Sequence, residues 1–245
     1  MRYLSIDIET TGLNPDTCDV IEFAAVAEDT LKPEIPVEDL PHFRALIRRD
    51  NYRGEPFALA MHAELFKEIA NTAIAAIAPP IGPVVCAPAE LLNIFTHWLM
   101  AKANVWIAPP NTPIVGHRML VAGKNFAGFD LRFLRRLTDN IDDAYNGAKW
   151  DSLFSHRVLD PAMFFTLAED EKPPSLAECL DRAGCPKAVS HRALDDARDV
   201  IRCIRAGMAK TRVLTDEEAH RAGATPGGRR EARALRTPAT WKPES

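Results

Sequence analysis

The sequence lacks the features that would place this protein in a membrane or outside the cell. No apolar stretch approaches the roughly 18–20 residues needed to cross a bilayer. The N-terminus has no basic segment followed by a longer apolar core, so we expect no secretory signal. The five cysteines are odd in number and include no CxxC pair, which argues against a disulfide framework or a zinc site. We therefore expect a cytoplasmic protein with reduced thiols and no membrane partner.

An excess of positive charge is also missing, because 30 Lys and Arg stand against 34 Asp and Glu, for a net charge of −4. This balance argues against a module that holds long nucleic acid by charge alone. The charge is uneven: residues 207–245 contain 8 basic and 5 acidic residues, which leaves 22 basic and 29 acidic residues elsewhere. An acidic body suits a cluster of metal-binding carboxylates. The basic end suits phosphate, although a solvated tail is the commoner meaning of such a segment.

Composition and patterning predict one α/β domain over residues 1–209, with a Pro-rich insertion at about 78–117 and a basic, flexible tail over 210–245. The segment 3–9 alternates apolar and polar residues, as in a strand with one apolar face. Ser175 and Glu178 form a capping box that opens a helix, which Gly184 closes. Further strands are predicted at 20–26, 42–47 and 119–124, helices at 57–77, 88–103, 129–137 and 194–209, and loops at 78–88 and 105–117.

Three acidic residues lie next to apolar residues in a predicted strand or helix. Asp7 and Glu9 share one face of the first strand, roughly 6.5–7 Å apart, and two carboxylates so placed repel unless cations lie between them. An exposed strand face is the alternative, but exposed strands tend to avoid Asp. Asp130 begins a helix beside its buried stripe. Taken alone, Asp130 is better explained as an N-terminal acid stabilised by the helix dipole.

The helix near residue 195 offers two adjacent acids that helical phase separates. Leu194, Ala197, Ile201, Ile204 and Met208 define the apolar stripe of this helix. At about 100° per residue, Asp195 falls almost opposite the stripe and should face water, whereas Asp196 lies at its margin. We therefore predict Asp196 as a metal ligand and Asp195 as a surface residue. His191 lies at or just before the helix start, where a lone histidine is more often a surface or cap residue.

Three short motifs resemble those of a known enzyme family. The run from Asp7 to Leu13 resembles the first motif of the DnaQ-like exonucleases, and Asn125 to Asp130 resembles the second. The run from His191 to Ala197 resembles the third motif in the His-containing (DEDDh) subgroup, and is most similar to the version in oligoribonucleases. The resemblance implies an α/β fold of the ribonuclease H-like type, a mixed five-stranded sheet with helices on both faces.

The resemblance also implies a metal-dependent 3′→5′ exonuclease that acts on the 3′ ends of single-stranded DNA or RNA and releases nucleoside 5′-monophosphates. Four carboxylates would hold two divalent ions, Mg²⁺ or Mn²⁺, and His191 would act as the general base. Thr10 would contact the terminal sugar and Leu13 the terminal base. Met61 and His62 could line the same pocket, with a surface helix position as the alternative. Phe126 and Phe129 could stack on bases, or belong to the core. The four ligands are Asp7, Glu9, Asp130 and Asp196.

Several alternatives stay open from the sequence alone. Within enzymes, the substrate could be short RNA, single-stranded DNA or a mispaired primer end, and a replication or repair partner is not identified. In a different class, the chain could be a catalytically weak nucleic-acid-binding or interaction module that keeps the fold. A structural protein with incidental acids is the remaining reading, which three motifs in the right order disfavour.

Overall fold

A computed structural model describes residues 1–72, 82–103, 118–138, 149–186 and 191–211. Its centre is a mixed sheet whose six strands lie in the order β4-β3-β2-β1-β5-β6. Strands β2 and β3 are antiparallel to their predecessors, whereas β4, β5 and β6 each pair in parallel. The strands are β1 (Arg2–Thr10), β2 (Val20–Asp29), β3 (His42–Ile47), β4 (Val84–Cys86), β5 (Met119–Ala122) and β6 (Phe154–Leu159).

The α/β architecture and the mixed sheet agree with the prediction, but the sheet has six strands where five were expected. Strand β4 lies inside the segment 78–88, which was predicted to be a loop. Its three residues are too few to show a period, and only parallel pairing with β3 makes them a strand. The strand β6 was not predicted either, because its residues Phe154–Leu159 include Ser, His and Arg, and only Phe154 is fully buried.

Eight α-helices connect these strands in the described part of the chain. The predicted helix over 57–77 is interrupted at His62, which ends α1 and precedes α2, and its last five positions lie outside the described residues. The capping box is confirmed, because the Glu178 N–H donates to the Ser175 hydroxyl and Gly184 adopts φ +74°. The helices are α1 (Pro56–Met61), α2 (Ala63–Asn71), α3 (Leu91–Trp98), α4 (Asp130–Thr138), α5 (Trp150–Leu153), α6 (Ala162–Phe165), α7 (Leu176–Ala183) and α8 (Ala193–Thr211).

Both faces of the sheet are covered. On one face, Phe23 and Phe43 pack with Phe95 of α3 and with Trp150 of α5. On the other face, Ile21, Leu46 and Val85 pack against Leu65 and Ile69 of α2. Burying each large apolar side chain contributes on the order of 1.5–3 kcal/mol, so both layers hold the central strands in place.

Helix α8 packs on the polar face of β1. The Ser5 hydroxyl donates to the carbonyl of Ala197 at 2.7 Å, and both residues are fully buried. Since Ser5, Asp7 and Glu9 alternate along one face of β1, this contact brings the first turns of α8 over the two acids. The fold thereby joins the first and third motifs.

The chain divides into a unit Met1–Gly207, which holds the whole sheet, and a second unit Met208–Ser245. The predicted boundary after residue 209 stays a prediction, and the tail beyond residue 211 lies outside the described residues. Within the predicted Pro-rich insertion, residues 82–103 contain β4 and α3, and residues 78–81 and 104–117 are not described. None of the helices in the described ranges is long and apolar enough to span a membrane.

Candidate metal centre

Three carboxylates from two distant parts of the chain meet at the end of β1. Asp7 and Glu9 come from β1, and Asp196 comes from the first turn of α8. One oxygen of each carboxylate lies within 4.8 Å of the others. Oxygen-only ligands at such spacing are the kind that hard divalent cations such as Mg²⁺ and Mn²⁺ prefer.

Asp130 completes the set of four acids. It is the first residue of α4 and is only 3% exposed. Burial raises the pKa of its carboxyl group, while the backbone N–H groups of Asp130 and Ile8 act in the opposite direction. The contact with Ile8 places Asp130 between the positions of Asp7 and Glu9 on β1. Asp130 therefore lies beside the cluster of Asp7, Glu9 and Asp196, and the role of all four acids in binding metal stays a prediction.

In the folded protein, the negatively charged forms of these four carboxyl groups are disfavoured. Burial, followed by the charges of Asp130, Asp196 and Glu9, raises the pKa of Asp7 well above its ordinary value. Burial and the neighbouring carboxylates also raise the pKa of Glu9 to about 8. Burial, Asp199 and Asp195 raise the pKa of Asp196 to about 6. In the described ranges, no Lys or Arg forms an ion pair with any of the four, so the cluster fits bound cations.

These shifts predict a metal-dependent pH profile of stability. Because the folded-state pKa values exceed the unfolded ones, the folded chain binds more protons, and the free energy of unfolding falls as pH rises through the folded pKa values. In EDTA, the thermal midpoint should therefore decrease between about pH 5 and about pH 9. Mn²⁺ should flatten this slope, since a cation replaces the protons. Thermal melts of the protein and of the Asp7→Asn variant check this. An unchanged slope in that variant would place the titrating groups elsewhere.

Two histidines lie beside the cluster. His62 is 3% exposed, and its Nε2 atom is 3.4 Å from Oε2 of Glu9. Burial, with the charges of His191 and Arg192, lowers the pKa of His62 and so favours the neutral form of its ring. His191 is exposed and has a left-handed backbone with φ +46°. The buried position of His62 contradicts the alternative of a surface helix residue.

Two of the residues predicted to contact substrate, Thr10 and Leu13, belong to the first motif and follow Glu9 in the sequence. Thr10 is 8% exposed, and its hydroxyl donates to the carbonyl of Gly12 at 2.7 Å. Leu13 is 74% exposed, and its backbone N–H donates to Oε1 of Glu55 at 3.3 Å. Gly12 has φ +155°, and a Cβ there would lie 2.9 Å from the Glu55 side chain. The turn is thus built to leave Leu13 in solvent.

The aromatic residues of the second motif differ in position. Phe126 is 1% exposed and packs edge-on against Phe154, so the structure assigns it to the core and excludes base stacking. Phe129 is half-buried, and its ring centroid is 5.0 Å from that of Phe133. A substrate contact by Phe129 stays a prediction. Met61 is 42% exposed, next to His62.

Sequence reasoning missed a fifth acid beside the cluster. Glu22 of β2 is fully buried, stands directly across from Glu9 in the β1–β2 register, and raises the pKa of Asp7, Glu9 and Asp196. Unlike the other four acids, it forms an ion pair with an arginine of the described residues, Arg44 of β3. The only signal in the sequence was a single acid inside the predicted strand 20–26, whose other residues are apolar.

Comparison with known proteins gives structural likenesses only. No family model and no curated protein matches the sequence. E. coli exonuclease I in a zinc-bound complex with single-stranded DNA aligns with a TM-score of 0.55 and 15% identity, over 85% of this chain and 40% of that one. The present chain thus spans well under half the length of exonuclease I.

Two smaller structures align over most of their length. The nuclease domain of 3′hExo, a DEDDh family member bound to rAMP, gives a TM-score of 0.52 and 16% identity over 86% of this chain and 92% of that chain. S. pombe Pop2p in its Mg²⁺- and Mn²⁺-bound form gives a TM-score of 0.52 and 12% identity over 85% and 84%. At such identities the likenesses establish the fold: the chain has the ribonuclease H-like fold of the DnaQ-like exonucleases.

Proposed function

We propose that this protein is a metal-dependent 3′→5′ exonuclease that removes nucleoside 5′-monophosphates from single-stranded nucleic acid. The observation that carries the proposal is the cluster of Asp7, Glu9 and Asp196 with Asp130 beside it, because none of these acids forms an ion pair with Lys or Arg in the described ranges. The solved nuclease structures that share this fold support the proposal. The five free cysteines suit a reducing compartment, and we place the protein in the cytoplasm.

In this proposal the four acids hold two divalent ions, Mg²⁺ or Mn²⁺. When bound, such ions supply Lewis acidity that activates water and offsets the negative charge of the phosphoryl transition state. His191 accepts the proton of the attacking water, because an imidazole nitrogen can take up a proton. His62, whose Nε2 atom lies 3.4 Å from Oε2 of Glu9, limits the orientations open to that carboxylate.

The proposed substrate follows from the turn after Glu9. Leu13 is exposed to solvent four residues after Glu9, where it can pack against the terminal base of an unpaired strand. Thr10 and Phe129 lie close enough to the acids in sequence to complete a site for the terminal nucleotide. E. coli exonuclease I was solved with single-stranded DNA and 3′hExo with a nucleoside monophosphate, which agrees with this substrate class.

The point of attack is the decisive test. A 5′-labelled linear oligonucleotide with a free 3′ hydroxyl should be shortened one nucleotide at a time in Mg²⁺, and a blocked 3′ terminus should suppress this strongly. Matched DNA and RNA oligonucleotides decide between the two nucleic acids. Degradation of circular single strands at an equal rate would identify an endonuclease instead.

The second candidate function is a catalytically weak nucleic-acid-binding module on the same fold. The exposure of His191 and its left-handed backbone conformation favour this binding module, because a general base must be held firmly against the water that it deprotonates. Such a module would bind Mn²⁺ and single strands but leave every oligonucleotide intact.

A further inference from the structure

Both carboxylate oxygens of Glu22 are already engaged. Oε1 accepts a hydrogen bond from Nε of Arg44, and Oε2 accepts one from the backbone N–H of Ala193 at 3.0 Å. Ala193 is fully buried and is the first residue of α8. The first N–H groups of a helix have no partner within the helix, and a carboxylate there also interacts favourably with the helix dipole. Glu22 therefore attaches the start of α8 to the centre of the sheet.

The same connection continues to the residue that follows His191. Arg44 donates to both oxygens of Glu68 on α2, at 2.6 and 2.9 Å. Nη1 of Arg192 donates to Oε2 of Glu68 at 2.5 Å. Paired guanidinium and carboxylate groups of this kind fix orientation as well as distance. We call these four residues, Glu22, Arg44, Glu68 and Arg192, the Glu22 network.

We propose that the Glu22 network holds the start of α8, and with it Asp196, in position at the metal centre. This inference rests on the proposed function. The network ties β2, β3 and α2 to the two residues between His191 and the body of α8. The N–H groups of Asp195 and Asp196 both donate to the carbonyl of Arg192 at 3.0 Å, so a shift of Arg192 moves Asp196 with it. Glu22 acts through these contacts, in which each of its two oxygens accepts a hydrogen bond.

A merely structural role for Glu22 is the competing explanation, and Glu28 offers a matched control. Glu28 lies on the same strand, is also fully buried, and also pairs with an arginine, Arg205, at 2.7 Å. Its even spacing from Glu22 puts it on the same face, about 20 Å away along the strand. Glu22→Gln and Glu28→Gln thus each remove one buried carboxylate charge that is paired with an arginine, and only the first lies beside the metal centre.

The test compares the two variants in the full chain. Both should lower the thermal midpoint in EDTA by similar amounts. Glu22→Gln should weaken Mn²⁺ binding by about tenfold, as measured by calorimetry without nucleic acid. It should also reduce kcat by about tenfold or more, because residues that contact the metal ligands fix the orientation of those ligands. Glu28→Gln should leave both quantities within about twofold. The KM for an oligonucleotide should change little in either variant, since the substrate contacts stay intact.

Arg192→Gln provides a second route if Glu22→Gln does not fold, because the Arg192 side chain is 30% exposed. It should also weaken Mn²⁺ binding, a readout that a lost contact to nucleic acid would not move. Equal Mn²⁺ affinities for Glu22→Gln and Glu28→Gln, or an unchanged affinity for Arg192→Gln, overturn the positioning role. A wild-type protein that binds Mn²⁺ but cleaves nothing overturns the proposed function alone.

Discussion

Replacing Asp7 by asparagine is expected to reduce oligonucleotide turnover in Mg²⁺ by about a thousandfold or more, which is on the order of 4 kcal/mol of transition-state stabilisation. Asp7 stands at the centre of the cluster, because the charges of Asp130, Asp196 and Glu9 all act on its carboxyl group. Removing it takes a ligand from the metal site. In EDTA the variant should be as stable as the wild type or more stable, since one repelling charge is gone.

Single-turnover kinetics and thermal melts in EDTA measure the two effects on the same preparation. Asp181→Asn, at an exposed position of α7, is the control for loss of one acidic charge far from the site. More than a few per cent of wild-type activity in the Asp7 variant would contradict the assignment of the metal site. A variant that loses activity and also unfolds in EDTA would show that Asp7 supports the fold instead.

The adjacent acids of α8 should respond differently to the same substitution. Asp196→Asn is expected to reduce turnover about a hundredfold or more, on the order of 3 kcal/mol, because its oxygen lies within 4.8 Å of those of Asp7 and Glu9. Asp195→Asn should change turnover by no more than about threefold, because a surface substitution removes no ligand. The Asp195 side chain is 46% exposed and stands 3.9 Å from Arg198.

Both variants carry the same chemical change on neighbouring residues, so each is the control for the other. Turnover should be measured at saturating Mg²⁺, and Mn²⁺ affinity alongside it. A larger loss of turnover for Asp195→Asn than for Asp196→Asn would show that, in the active protein, helix α8 turns a different face toward the other acids. The assignment of Asp196 as a metal ligand would then be wrong as well.

Local patterns were sufficient wherever one element carried its own signal. The alternation of β1, the apolar stripe of α8 and the capping box of α7 each depend on neighbours within a few residues, and all three are present in the structure. Helical phase also placed Asp195 in solvent and Asp196 among the acids. The same patterns do not show the break at His62, because neither Gly nor Pro interrupts that helix.

His62 illustrates where local signals end. Its sequence position was compatible with a surface or with the substrate pocket. The structure buries it to 3% exposure against Glu9, which lies 53 residues earlier in the printed numbering. That contact depends on how α1 and α2 meet the sheet. Strand β4 is a similar case, because its pairing with β3 alone defines it.

The sequence by itself determined the class of fold, the identity of the four clustered acids and the direction in which Asp196 points, because periodicity and short motifs are local properties of the chain. Only the tertiary structure decided the role of Glu22. Its contact with Ala193 joins residues 171 positions apart, and its contact with Arg44 crosses from β2 to β3. An acid inside an apolar strand is unfavourable until such partners arrive, and nothing near it in the sequence identifies them.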